Sequence, residues 1–305
     1  MNTPLSFNRD FDPVYGAVEE VTPLIRRVVA ENPSAFTFTG TGTYIIGRGK
    51  VAVIDPGPDM ESHVSSLKRA LQGEEVTHIL VTHTHSDHSP ASAPLKAATG
   101  APIYAFGPHA TGRPGDSDVE EGADRHFIPD VTLRHGDVIE GHGWTLETVH
   151  TPGHTSNHIC YALREEHALF PGDHVMGWST TVVSPPDGDM AAYMRSLKAL
   201  LTRDDRIYYP THGAPIRDPK SFVRALIRHR EDREAEILAC ISEGKTRIPD
   251  MVAHMYRDVP AYLHPAAARS VLAHLIHMAE TRRVATDGAP RPENEYRLPH
   301  KPVER

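Results

Sequence analysis

Apolar and polar positions alternate along the chain so as to divide it into short apolar runs and longer amphipathic stretches. β-Branched and glycine residues at 37–46 predict a strand, and the run at 51–54 predicts a second one. The second stops in Asp55-Pro56-Gly57-Pro58, a turn sequence. A helix is predicted at 62–71, a short buried strand at 78–81, a helix at 91–98 and a strand at 103–106. Residues 107–124 are polar, with glycine and acidic side chains, and predict a surface loop. Strict alternation at 144–150 predicts a half-buried strand. Further strands are predicted at 158–163, 168–170 and 206–209, with an amphipathic helix at 190–201.

Beyond Asp218 the pattern becomes helical, at 221–241, 249–256 and 265–280, and ends in a short polar stretch at 282–298. Helices closed by a terminal hairpin predict a small winged-helix-like domain. The expected organisation is therefore a catalytic domain at 1–217 and a C-terminal domain at 218–305.

Composition narrows the class. The 305 residues suffice for one large domain and a small one. No run reaches the length of a membrane helix, and the first fifteen residues, carrying Asp10 and Asp12, lack the apolar core of a secretory signal. Two widely separated cysteines, Cys160 and Cys240, argue against a disulfide framework, so a cytoplasmic location is expected. Cys160 sits in an apolar run and reads as a buried thiol. The formal charge of −8 argues against a broad nucleic-acid surface, although a local anion site remains compatible with it. The unusual count is 21 histidines, and its meaning depends on their spacing.

Four polar motifs stand at the ends of predicted strands, where a rigid backbone presents side chains to a cleft. The first is H-x-H-x-D-H, formed by His83, His85, Asp87 and His88. Three imidazoles and a carboxylate within six residues make poor core material unless each has a partner, and metal ions supply one. The other candidates are His154, Asp173 and His212. Seven ligands suit two metals. His83, His85 and His154 would serve one, Asp87, His88 and His212 the other, and Asp173 would bridge them. Such donors accept zinc first, with manganese or iron as alternatives. Two divalent cations would generate a hydroxide nucleophile near neutral pH and leave the site at roughly +1, suited to an anionic or polarised carbonyl substrate. Asp87 and Asp173 are the carboxylates expected to take part in catalysis. His63, His78, His109, His126, His135 and His142 lack such context and read as surface or structural, as do the helical His229, His274 and His277. His158, four residues after His154, reads first as a core histidine and second as a group supporting the ligands or facing substrate.

Thr82-His83-Thr84-His85-Ser86-Asp87-His88, Thr151-Pro152-Gly153-His154-Thr155, Pro171-Gly172-Asp173 and Pro210-Thr211-His212-Gly213 resemble the signature stretches of the metallo-β-lactamase superfamily. Asp55-Pro56-Gly57 resembles the family's early strand-end turn, where the Asp is structural and lies near the site. The resemblance implies an α/β (α+β) fold, a four-layer αβ/βα sandwich with the metals at one edge. Within the superfamily, 23–28, 36–44 and 177–183 are similar to the branch of β-lactamase-like protein 2, known as a single-strand-specific endoribonuclease.

Three functions compete. The branch likeness and a basic tail of Arg282, Arg283, Arg291, Arg297, Lys301 and Arg305 favour phosphodiester hydrolysis of single-stranded RNA. Against it stand the net charge and the lack of an aromatic-plus-basic stacking platform. The second function is carbonyl hydrolysis of a thioester, lactone or β-lactam, which would make the partner a small-molecule substrate. The third, a metal-binding or nucleic-acid-binding scaffold without catalysis, sits poorly with a complete set of candidate ligands. Ser179, Thr180 and Thr181 are candidate hydroxyls of the cleft wall, or else part of a simple loop.

Overall fold

The computed structural model describes residues 5–108 and 122–299. His109, most of the predicted loop at 107–124, and Lys301 and Arg305 of the basic tail lie outside the described residues. Seven strands form the first sheet in chain order: β1 (Val18–Glu20), β2 (Ile25–Val29), β3 (Gly42–Ile46), β4 (Lys50–Ile54), β5 (Glu75–Leu80), β6 (Ile103–Ala105) and β7 (Val131–Thr132). Strands β1 to β4 pair antiparallel, and β4 to β7 pair parallel. Parallel neighbours need crossovers, which α1 (Glu61–Ala70) supplies between β4 and β5 and α2 (Ser92–Thr99) between β5 and β6. The second sheet has the order β12-β11-β10-β9-β8, with β8 (Val138–Gly141), β9 (Trp144–His150), β10 (Ile159–Leu163), β11 (Ala168–Phe170) and β12 (Ile207–Tyr208). Helix α3 (Met190–Leu200) carries the chain from β11 to β12, which pair parallel.

The hydrophobic clusters define the layers. Ile25, Tyr44, Ile54 and Leu80 from the first sheet meet Trp144, Leu146, Tyr161 and Phe170 from the second, forming the inter-sheet core. The outer face of the first sheet, with Ile45, Val53 and Ile79, takes Leu67 of α1 and Leu95 of α2. The outer face of the second sheet, with Val149, Cys160 and Leu169, takes Tyr193 and Leu197 of α3 and Leu226 of α4 (Pro219–Ser242). This is the four-layer αβ/βα arrangement. Strands covered on both faces are apolar throughout, which is why β3 and β10 are buried at every position.

Helix α4 starts at Asp218, whose carboxylate accepts from Ser221 N, with Pro219 in the first turn. Its first half packs on the sandwich through Val223 and Leu226. Its second half, through Ile237, Cys240 and Ile241, joins α5 (Ile248–Met255), α6 (His264–Glu280) and the hairpin β13 (Ala285–Thr286) and β14 (Tyr296–Arg297) in a separate core around Met251, Leu275 and Tyr296. A short 3-10 turn, Ala261–Leu263, precedes α6. Buried Glu234 of α4 accepts from His277 Nδ1 of α6 at 2.7 Å and pairs with Arg283, which holds this unit's helices together.

One local expectation needs correction. The strand predicted at 37–46 begins only at Gly42. Residues before it form a turn, because Ser34 Oγ accepts from Phe36 N and Thr37 N while the Asn32 side chain brackets Thr41. Such local side-chain bonds compete with a ladder. Strand β2 (Ile25–Val29) is buried throughout although two of its five residues are arginine. Arg26 reaches Glu74 at 2.6 Å, and Arg27 reaches Glu19 at 2.7 Å, so neither charge is buried unpaired.

Trp144 is 1% exposed, fills the space between Gly47 and Gly141, and donates its Nε1 hydrogen to Lys50 O at 3.1 Å. Trp144→Ala should cost about 3–5 kcal/mol of stability. Urea denaturation with the same transition midpoint as the parent protein would contradict this.

Candidate metal centre

Five segments leave the C-terminal ends of strands from both sheets and meet at one edge: Asp55 after β4, 82–88 after β5, 151–154 after β9, 171–173 after β11 and 210–212 after β12. Close backbone contact sets one of them. Gly153 lies so near α3 that a Cβ would stand 2.3 Å from Tyr193 Cα, and its φ of 143° also favours glycine.

All seven predicted positions converge there in two groups. His83, His85 and His154 form one, and Asp87, His88, Asp173 and His212 the other, with donor atoms in each group within 4.8 Å of one another. In the first group His83 Nε2 and His154 Nε2 lie 3.0 and 3.1 Å from His85 Nδ1. In the second, Asp87 Oδ2 lies 3.2 Å from His88 Nε2 and 3.1 Å from His212 Nε2. Asp173 faces both groups: Oδ1 is 3.3 Å from His212 Nε2, and Oδ2 is 3.9 Å from His154 Nε2.

The far sides of three of the rings are anchored. His88 Nδ1 donates to Asp55 Oδ2 at 2.9 Å, His212 Nδ1 to Gly40 O at 3.1 Å, and His154 Nδ1 to Val182 O at 2.6 Å. Placing the ring hydrogen on Nδ1 leaves the Nε2 lone pair pointing into the group, the tautomer a metal ion requires. Asp55 also accepts from Thr82 N and Thr82 Oγ1 at 2.8 Å and from Thr211 Oγ1 at 3.0 Å, so one buried carboxylate ties its own segment to two others. Its φ of 48° is left-handed, a conformation aspartate tolerates better than most residues.

Asp87 Oδ1, His88 Nε2, Asp173 Oδ1 and His212 Nε2 are buried without a hydrogen-bond partner. Such atoms are costly to leave unmatched, and His88 Nε2 and His212 Nε2 meet at Asp173 Oδ1, 3.5 and 3.3 Å away. A divalent cation with nitrogen and oxygen donors fits among them. Charge tells the same story. Burial alone would lower the His88 and His212 pKa values, but Asp87 and Asp173 outweigh it, holding His88 well above its ordinary value and pushing His212 up to about 10. For Asp87 and Asp173 burial acts upward, and the two imidazoliums override it and hold both well below the usual carboxylate range. Burial, with the crowding of His88, His85 and His154, drives His83 well below its ordinary value. The second group therefore retains protons where a cation would otherwise balance its carboxylates.

A narrow cavity opens over the two groups. It has about 40 Å³ for water-sized contents, enough for a few waters, and is lined by Ala35, Phe36, Met176, Trp178 and Val182 along with His85, Asp87, His154 and Asp173. Ser179 and Thr180 line it as predicted, whereas Thr181 turns away and donates to Asp173 O at 2.7 Å. Trp178 stacks on Phe38 at 4.9 Å. His158 is buried; Thr151 Oγ1 lies 2.9 Å from its Nδ1, and its Nε2 accepts from Asp173 N at 3.3 Å, so it supports the Asp173 backbone rather than facing the cavity. His63 is also internal, between Thr43 Oγ1 and Pro56 O, with burial lowering its pKa to about 4. Cys160 is the expected buried thiol, pushed up to about 12 by burial. The anchoring carbonyls of Gly40 and Val182 carry no side-chain signal and were invisible to sequence reasoning.

Residues 37–212 match the family model of the metallo-beta-lactamase superfamily, and 248–291 match that of the beta-lactamase associated winged helix domain. The chain is 30% identical to the lactamase-like protein adaB of Aspergillus niger, over 90% of this chain and 86% of that protein. It is 31% identical to an atrochrysone carboxyl ACP thioesterase of Claviceps purpurea, over 79% of this chain and 74% of that protein. It is also 31% identical to the beta-lactamase-like protein 2 homolog of Caenorhabditis elegans, over 83% of each. A beta-lactamase domain protein from Burkholderia ambifaria shares the fold, with a TM-score of 0.80 and 22% identity over 95% of this chain and 96% of that one.

Asp55→Asn removes one acceptor oxygen and should leave one or two buried donors unmatched. Metal affinity should fall about 10–100-fold, as judged by zinc titration of the metal-free protein; wild-type affinity would show that Asp55 does not orient His88. Cation binding to the metal-free protein at pH 8 should release protons, because His212, pushed up to about 10, still carries one there. Calorimetry in buffers of different ionisation enthalpy measures this, and a binding heat independent of buffer would contradict it.

Proposed function

Because this chain belongs to the metallo-beta-lactamase superfamily, we propose that it is a dinuclear-metal hydrolase of acyl thioesters or esters. His83, His85 and His154 would hold one divalent cation and Asp87, His88 and His212 the other, with Asp173 between them. Zinc is the first candidate for this donor set, and manganese or iron are accepted by the same chemistry. The observation that carries the substrate class is the cavity lining. It is apolar around Phe36, Met176 and Trp178, offers the hydroxyls of Ser179 and Thr180, and among the described residues contains no lysine or arginine. A groove for single-stranded RNA needs cations along the backbone path, and this lining has none. The thioesterase name of the Claviceps relative agrees with an acyl substrate.

When bound, two such cations lower the pKa of a water toward neutrality and draw negative charge onto themselves. The chain's own residues do the rest. The anchored imidazoles hold fixed donor directions, so little reorganisation accompanies reaction. Asp87, buried and lining the cavity with Oδ1 free of hydrogen bonds, would take the proton of the attacking water. Water would add across the acyl bond, giving a carboxylic acid and a thiol or alcohol, with the proton returned to the leaving group. Phe36, Met176 and Trp178 limit bulk water at the reacting carbon. The cavity admits only the scissile group, so the remainder of the substrate would lie across its rim.

Metal-loaded protein should cleave an acyl-thioester or aryl ester, Asp87→Ala should lower the rate about 10²–10⁴-fold, and chelation should abolish it reversibly. Labelled single-stranded RNA and a chromogenic cephalosporin serve as comparisons. RNA cleavage abolished by Asp87→Ala, without ester or thioester turnover, would replace this reading with the ribonuclease one.

A further inference from the structure

Arg230 lies on the sandwich half of α4 and is 3% exposed. Among the described residues no carboxylate forms an ion pair with it, and its Nε has no hydrogen-bond partner. A buried guanidinium without a counter-charge is expensive, so its retention calls for a specific role. Its Nη2 donates to the carbonyl of Thr181, and its plane lies 5.3 Å from the ring centre of Tyr193 in α3.

Thr181 is the middle of a short relay. Its Oγ1 donates to Asp173 O at 2.7 Å and contacts His174 O at 3.1 Å. The next carbonyl, Val182 O, anchors His154 Nδ1 at 2.6 Å. Tyr193 OH donates to His174 O at 3.1 Å, and the Tyr193 backbone lies against Gly153, the neighbour of His154. One guanidinium therefore clamps the segment that positions His154 through Val182 and Asp173 through Thr181.

We infer that Arg230 is a positioning residue for the metal centre, making the first half of α4 part of the active unit rather than a mere connection to the C-terminal helices. The inference rests on reading the seven residues as metal ligands. Its effect should fall unevenly. His154 belongs to the first group; Asp173 belongs to the second, but His88 and His212 there are anchored independently by Asp55 and Gly40 O. Loss of the clamp should loosen the first group and leave the second comparatively tight.

The test is zinc titration of the metal-free full-length protein, read by calorimetry and by metal content after dialysis. Arg230→Met should weaken one of two bound zincs about 10-fold or more and leave the other close to wild type. Arg230→Lys, which keeps the charge and one donor, should recover part of that loss. Arg224→Met, at an exposed position on the same helix, should bind like wild type. Thermal melts of the metal-free variants accompany the titrations. Two wild-type affinities in Arg230→Met would overturn the inference while leaving the ligand reading intact. Equal weakening at both sites, with a lowered melting temperature and no rescue by lysine, would overturn it in favour of a general packing role. A wild-type protein that binds no zinc, manganese or iron would overturn the ligand reading and this inference with it.

Discussion

The carboxylate of Asp55 is the interaction on which the metal centre depends. It receives the backbone and hydroxyl of Thr82, the ring of His88 and the hydroxyl of Thr211, drawing the ends of β5 and β12 toward the end of β4 that carries Asp55 itself. These segments come from opposite sheets, so the same bonds fix how the sandwich edge closes. Left-handed backbone at a non-glycine residue costs of the order of 1–3 kcal/mol, and four buried donors on one anion can offset it. The residue does not face the cavity, yet the direction of His88 follows from it.

Electrostatics and packing reinforce one another at this edge. The inter-sheet core excludes water from below, while Phe36, Met176 and Trp178 narrow the approach from above. Two carboxylates within reach of two imidazoles in such surroundings require positive charge. Protons on His88 and His212 supply it in the metal-free protein, and metal ions compete with them directly. Metal uptake and proton release are therefore one equilibrium. The first group differs: three imidazoles with Asp173 at their margin depend more on geometry, which is why the loop through Val182 matters to His154.

The outline of the centre was legible because its ligands cluster in short motifs at strand ends. Three imidazoles and a carboxylate between His83 and His88 have few other physical explanations, and the turn residues around Gly153, Gly172 and Gly213 marked where the other motifs begin. Supporting groups were less legible for definite reasons. Gly40 O and Val182 O are backbone atoms, so no residue type announces them. Arginines at 26 and 27 hid strand β2, because their partners Glu74 and Glu19 are distant in sequence or on the neighbouring strand. The turn before Gly42 was hidden by β-branched residues whose hydroxyls bond locally instead of joining a ladder.

Periodicity, turn chemistry and histidine spacing by themselves determined the run of strands and helices, the helical C-terminal region and the seven residues of the candidate centre, since each rests on local pattern, and the motifs' family resemblance implied the layered sandwich. Only tertiary structure decided the rest. It divided the seven into two facing groups, turned Asp173 toward both, sent Thr181 behind the cavity and His158 beneath Asp173, and lined the cavity without a cation. It also brought Arg230 of α4 onto the loop beside His154, more than seventy residues away in the chain. Those outcomes depend on which segments meet across two sheets, and the spacing of residues along one segment carries no information about that meeting.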